Sequence, residues 1–169
     1  MSIDILPIQQ NDLQSIRTYA QEVWGSEDIV VHNTIYKISS LSGLKAVLQD
    51  EITGFLHYEI RDDACEILTL ASFQEGQGIG SALIAAVQEL AQDHGCQTLH
   101  LITTNDNLHA LGFYQRRGFC LTHVYPGQVT ISRKHKPSIP EIGENGIPIR
   151  DEIRLEMRLE PKTGAESES

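Results

Sequence analysis

The chain alternates between two hydrophobic rhythms, and the change from one to the other divides it into elements. Period-two alternation and short apolar runs mark strands: Ile3–Pro7, Leu44–Leu48, Gly54–Ile60, Ala64–Ala71, Thr98–Thr103, Phe119–Val124 and Ile153–Leu159. Three- and four-residue spacing marks helices. Leu13, Ile16, Ala20 and Val23 form one face, entered at Asn11 or Asp12 as a cap and closed at Trp24-Gly25. Ile79, Leu83, Ala86, Val87, Leu90 and Ala91 form a second face, ended by Gly95. Asn105-Asp106-Asn107 supplies cap residues for a short helix from Leu108 to Arg117, which Gly118 breaks. Short polar turns at Asp50-Glu51 and Asp62-Asp63 join three successive strands into an antiparallel meander. The strand at 98–103 follows a strand and a helix, so it is expected to lie parallel to the 64–71 strand through a right-handed crossover.

Two stretches lack a clear rhythm. Residues 26–43 mix Ser, Asn and Gly with apolar pieces, and Trp24, His32 and Tyr36 read there as surface packing or as the rim of a substrate mouth. Residues 126–150 hold four prolines and three glycines and read as a long loop. Its basic run Arg133-Lys134-His135-Lys136 is either a solvated basic turn, or a lid over a substrate pocket or a clamp on an anionic part of a substrate. The pattern gives one domain over 1–160, and the small polar tail at 161–169 is expected to be disordered.

Composition narrows the function without choosing it. Of 169 residues, 40% are hydrophobic and 21% charged, as in an ordinary soluble domain. A net charge of −10 argues against broad electrostatic attraction to nucleic acid or to an anionic membrane. No export signal or span-length apolar run is visible, and the three separated cysteines read as reduced, buried thiols, so a cytoplasmic location is expected. No clustered Cys/His pattern points to a metal.

The candidate chemistry begins where the 64–71 strand meets the second helix, at Gly76-Gln77-Gly78-Ile79-Gly80-Ser81. Alternating glycines permit positive φ and close approach, and the helix start offers unpaired N–H groups to an anion. A P-loop requires a Lys that is absent, and the dinucleotide fingerprint requires a third glycine where Ser81 or Leu83 stands. The turn is therefore either a tight helix entry or an anion cradle of another kind.

Leu68-Thr69-Leu70 with this glycine turn resembles the acyl-coenzyme A motif of the GNAT N-acetyltransferase superfamily, and Asn107 through Phe119 resembles that family's second motif. The resemblance implies an α/β fold with a central mixed, strongly bent sheet flanked by helices and a V-shaped splay between its two central parallel strands. It also implies acetyl-CoA as co-substrate, with the pyrophosphate on the N–H groups of Gly76, Gln77, Gly78, Ile79, Gly80 and Ser81 and the pantetheine arm beside Leu68 and Leu70. The amide of Leu70 then polarises the thioester carbonyl, Asn107 holds the pantetheine arm and Tyr114 protonates the leaving thiolate. Asn107 as a plain helix cap and Tyr114 as a packing aromatic are the other readings of those positions.

Glu66 is the candidate base, set against an ordinary strand glutamate, with His57, His100 and His109 as alternatives. One departure stands out: the family usually has Arg or Gln at the position of Glu75, whose carboxylate repels a pyrophosphate unless it turns outward. The expected activity is acetyl transfer to a primary amine of a small molecule or protein, and the alternative is a non-catalytic acyl-CoA-binding domain. The acceptor is not named by the sequence, and a homodimer is left open.

Overall fold

A computed structural model describes residues 2–162 and contains nine strands and four α-helices. Of the tail expected to be disordered at 161–169, residues 163–169 lie outside the described residues. In chain order the elements are β1 (Asp4–Pro7), α1 (Leu13–Tyr19), β2 (Asp28–Val31), β3 (Thr34–Lys37), β4 (Ser42–Leu48), β5 (Glu51–Arg61) and β6 (Ala64–Ser72). They continue as α2 (Ile79–Asp93), β7 (Thr98–Thr104), α3 (Leu108–Arg116), β8 (Cys120–Tyr125), α4 (Gln128–His135) and β9 (Glu152–Arg158). Seven strands form a mixed sheet in the order β1-β4-β5-β6-β7-β9-β8, with β6 and β7 parallel, while β2 and β3 pair separately. This is the α/β architecture, with a central mixed sheet flanked by helices, that the resemblance implies. The chain groups into two compact units, one of residues 1–8, 42–99 and 158–169, the other of residues 9–41 and 100–157.

In the first unit, β4, β5 and β6 form the expected antiparallel meander, with His57 opposite Thr69 and Phe55 opposite Ala71. Along β6 the odd-numbered residues Cys65, Ile67, Thr69 and Ala71 are buried, whereas Glu66, Leu68 and Leu70 are half-buried on the other face. Period-two alternation therefore puts the three candidate site residues of this strand on one side. The helix α2 packs on β4, β5 and β6, burying Ile79, Leu83, Val87 and Ala91 of the face read from its spacing and also Ile84, while Ala86 and Leu90 are half-buried. One glycine sets how close it comes. A Cβ on Gly54 of β5 would lie 2.5 Å from the Ala71 carbonyl oxygen and 2.7 Å from Cγ2 of Ile79. Only a bare Cα lets the first turn of α2 rest against the strand there.

In the second unit, α1 runs into a π-helical turn, Ala20–Trp24, and ends at Gly25 with φ +77°. The stretch without a clear rhythm forms the β2–β3 hairpin. His32 (φ 47°) and Asn33 (φ 65°) occupy its tip, the left-handed pair that a two-residue hairpin turn requires. The stretch 126–150 is not a loop throughout, because α4 occupies Gln128–His135. Val129, Thr130 and Ile131 are β-branched and weak helix formers, which hid the helix. Distant groups hold its start instead: the Gly127 N–H donates to Oδ1 of Asp151 (2.8 Å) and the Val129 N–H to the Arg150 carbonyl (3.0 Å). The basic run lies at the C-terminal end of α4, where cations complement the helix dipole. Arg133 donates to the carbonyls of Ile139, Pro140 and Ile149, and Lys136 to that of Asp28, so both fasten chain to chain rather than reaching outward as a clamp.

Cys65 and Cys96 are buried as expected, with the Cys65 thiol pushed up to about 12 by burial first and by Cys96 and Glu66 after it. Cys120 departs from expectation: it is exposed, because β8 has only β9 beside it and its residues from Cys120 to Val124 are all solvent-facing. No helix among the described residues is long and apolar enough to cross a membrane.

The close contact at Gly54 predicts that Gly54→Ala destabilises the protein by about 1–3 kcal/mol, although alanine elsewhere in a strand would not. Urea unfolding measures this, and an unchanged midpoint would show that α2 does not rest on that strand.

Candidate active site

The glycine turn connects the end of β6 to α2, and local bonds shape it. The Ser72 hydroxyl donates to the Gln74 carbonyl (2.9 Å), and the Phe73 N–H donates to the Thr53 carbonyl (2.9 Å). Gly76 and Gly78 then adopt φ of +78° and +75°, with no atom within 4 Å of where a Cβ would stand. Their requirement for glycine is thus conformational, and the space above them is open. Gly78 is the N-cap of α2, and residues 74–78 are exposed. The N–H groups of Ile79 and Gly80, which open this 15-residue helix, have no acceptor within it, and its dipole is positive there. The arrangement fits a phosphate-bearing ligand. Glu75 is exposed, so its carboxylate can stay in water beside such an anion.

The first unit thus holds Glu66, Leu68 and Leu70 on one strand face and the cradle from Gly76 to Ser81 just beyond it. Glu66 sits opposite Glu59 in register and is half-buried. His57, an alternative base, is fully buried: Thr69 Oγ1 accepts its backbone N–H (2.9 Å) and lies 2.7 Å from its Nδ1, while Nε2 has no partner. Burial lowers its pKa to about 4, so at neutral pH it is an uncharged ring sealed in the core.

Asn107 and Tyr114 belong to the second unit, on α3. Asn107 caps the helix, its Oδ1 accepting the Ala110 N–H at 3.1 Å, and it is exposed. The capping reading is therefore realised, and the amide nitrogen remains available to a ligand. Tyr114 is 7% exposed and packs edge-on against Phe113 (5.2 Å) and Phe119 (5.4 Å). Burial raises its pKa, only partly offset by Arg117, whose guanidinium lies 3.5 Å over the Phe113 ring. The phenol keeps its proton until an acceptor with a stronger demand arrives. His109 stacks near Phe113 on the exposed side of α3. On β7, His100 is half-buried, and its pKa falls to about 4, by burial first and Arg154 second.

One positioning residue escaped the sequence reading. Asn105, read only as a cap candidate, takes N–H donors of both Arg150 (3.0 Å) and Asp151 (2.9 Å) on its Oδ1 and donates Nδ2 to the Pro148 carbonyl (3.0 Å). It fastens the return into β9 to the turn that starts α3. Only the adjacency of Asn105 to two other cap residues hinted at it, and that does not name a partner more than forty residues away.

Comparison with known proteins places this geometry in a class. The acetyltransferase (GNAT) family model matches residues 9–119, and the chain belongs to that family. It is 39% identical over 159 residues to the protein YxbD of Bacillus subtilis (strain 168), covering 94% of this chain and 100% of that one. Among solved structures it is similar to an IAA acetyltransferase from Bacillus cereus ATCC 14579, with a TM-score of 0.73 and 26% identity over 94% of this chain and 100% of that one. It is also similar to a GNAT family acetyltransferase from Elizabethkingia anophelis with acetyl-CoA bound, with a TM-score of 0.67 and 26% identity over 93% and 98% of the two chains.

The two neutral histidines predict an acid-sensitive fold. Between about pH 4 and the ordinary histidine value of 6.5, the unfolded chain takes up protons that His57 and His100 refuse in the folded one. Stability is therefore full above that window and is lost as pH falls through it, by about 2 kcal/mol at pH 5 for His57. Urea midpoints at pH 7 and pH 5 measure the slope, and His57→Gln should flatten it.

Proposed function

We propose that the protein is an acetyl-CoA-dependent N-acetyltransferase that acetylates a primary amine of a small molecule or a protein. The observation that carries this reading is the open glycine turn at the start of α2, in a chain of the GNAT family. When bound, acetyl-CoA supplies an activated acetyl thioester. The N–H groups from Gly76 to Ser81 bind its pyrophosphate, without dependence on side chains that the sequence could vary. Leu68 and Leu70 give the pantetheine arm an apolar strand to lie along, and the Leu70 amide supplies a donor to the carbonyl oxygen as charge develops on it.

The remaining steps are proton transfers. Glu66, half-buried on the face it shares with Leu68 and Leu70, takes the proton from the acceptor ammonium. Tyr114 donates its phenolic proton to the departing sulfur, a role supported by the family's second motif and by burial that keeps the phenol protonated. The exposed Asn107 amide binds the pantetheine arm while its oxygen caps α3. No metal is required by these steps, and a cytoplasmic site of action fits the free thiols.

Calorimetric titration with acetyl-CoA, in parallel with thiol release over a panel of amines, tests the proposal. Saturable binding with amine-dependent thiol release is expected, and binding without release from any amine would mark a non-catalytic acyl-CoA-binding domain. Tyr114→Phe should lower kcat by about 100-fold and leave acetyl-CoA affinity unchanged. Gly78→Val should weaken that affinity by about tenfold or more, since a β-branched residue at φ +75° is strained. Unchanged turnover in the first variant would remove Tyr114 as the acid, and unchanged affinity in the second would remove the cradle.

A further inference from the structure

A buried carboxylate in the second unit lacks the cation its burial calls for. Glu152 opens β9 and is only 4% exposed. Its Oε2 accepts the backbone N–H of His32 at 3.1 Å, at the tip of the β2–β3 hairpin. Its Oε1 has no hydrogen bond, and the nearest nitrogen is Nδ1 of His32 at 3.5 Å, on a side chain that is 45% exposed. No Lys or Arg of the described residues pairs with it. The neighbouring cations are engaged elsewhere, Arg154 with Glu156 and Arg150 with Asp151. A charge withdrawn from water in this way calls for a positive partner with hydrogen to donate.

The surroundings specify that partner. Tyr125 faces Glu152 directly across the β8–β9 pair. Its ring lies 4.4 Å from that of His32 and stacks on His123 at 5.9 Å with planes 9° apart. An aromatic ring beside one buried carboxylate suits an alkylammonium group, which gains an ion pair and a cation–π contact together. The half-exposed His32 ring stands 3.5 Å from Oε1 without a hydrogen bond to it.

We infer that Glu152, with His32 and Tyr125 beside it, forms a binding site for an alkylammonium group. The site lies within the second unit and does not rest on the acetyltransferase reading.

The test uses the full chain and n-butylammonium as probe, with 1-butanol as the uncharged comparison, followed by calorimetry. The amine is expected to bind saturably and more tightly than the alcohol. Glu152→Gln keeps an acceptor for the His32 N–H but removes the charge, and should weaken amine binding at least tenfold. Tyr125→Leu, which leaves the carboxylate in place, should weaken it several-fold. Absence of saturable amine binding by the parent protein, or equal binding by the Glu152→Gln variant, overturns the site. Amine binding that persists where acetyl-CoA does not bind sustains the site and removes the acetyltransferase reading alone.

Discussion

The first turn of α2 lies against β5 because Gly54 has no side chain, and much of the candidate chemistry depends on that contact. Ile79, the first residue of the helix, is both the atom that a Cβ on Gly54 would strike and a member of the glycine turn. Packing therefore fixes the helix start, and the helix start in turn fixes the direction of the N–H groups beyond Gly78. The left-handed values at Gly76 and Gly78 let the backbone enter that fixed position from the end of β6. A phosphate site made only of backbone needs this kind of rigidity, since no side chain can adjust to correct a misplaced amide.

Burial decides the charge states of the candidate acids and bases. Desolvation opposes ionisation in both directions, so it keeps Tyr114 protonated and His57 and His100 unprotonated. The same physics thus keeps the phenol protonated and withdraws the core histidine from the candidate bases. Glu66 and Glu152 show the contrast among carboxylates. One stands half-buried on a strand face, whereas the other is buried beside a hairpin tip that makes no hydrogen bond to one of its oxygens.

Much of the fold was legible where the signal is local. The meander, α2 and α3 follow from hydrophobic periods and from glycines that interrupt them, and family membership rests on motifs that are contiguous in the chain. The failures share a cause. The helix α4 is built from β-branched residues and starts on Asp151 and Arg150, more than twenty residues onward. The β2–β3 tip uses His and Asn at positive φ rather than the glycine that would have marked it. Exposure of Cys120 depends on what covers β8, which its own apolar sequence does not say.

The sequence by itself determined the class of protein, the strand–turn–helix that would cradle a phosphate, and the short helix bearing Asn107 and Tyr114. These are runs of adjacent residues whose backbone preferences act over one or two turns. Tertiary structure alone decided that His57 is sealed in the core, that Asn105 fastens the approach to β9, and that Glu152 meets His32 across 120 positions of chain. Desolvation and pairing are set by neighbours in space, and a side chain's neighbours become defined only when distant segments pack together.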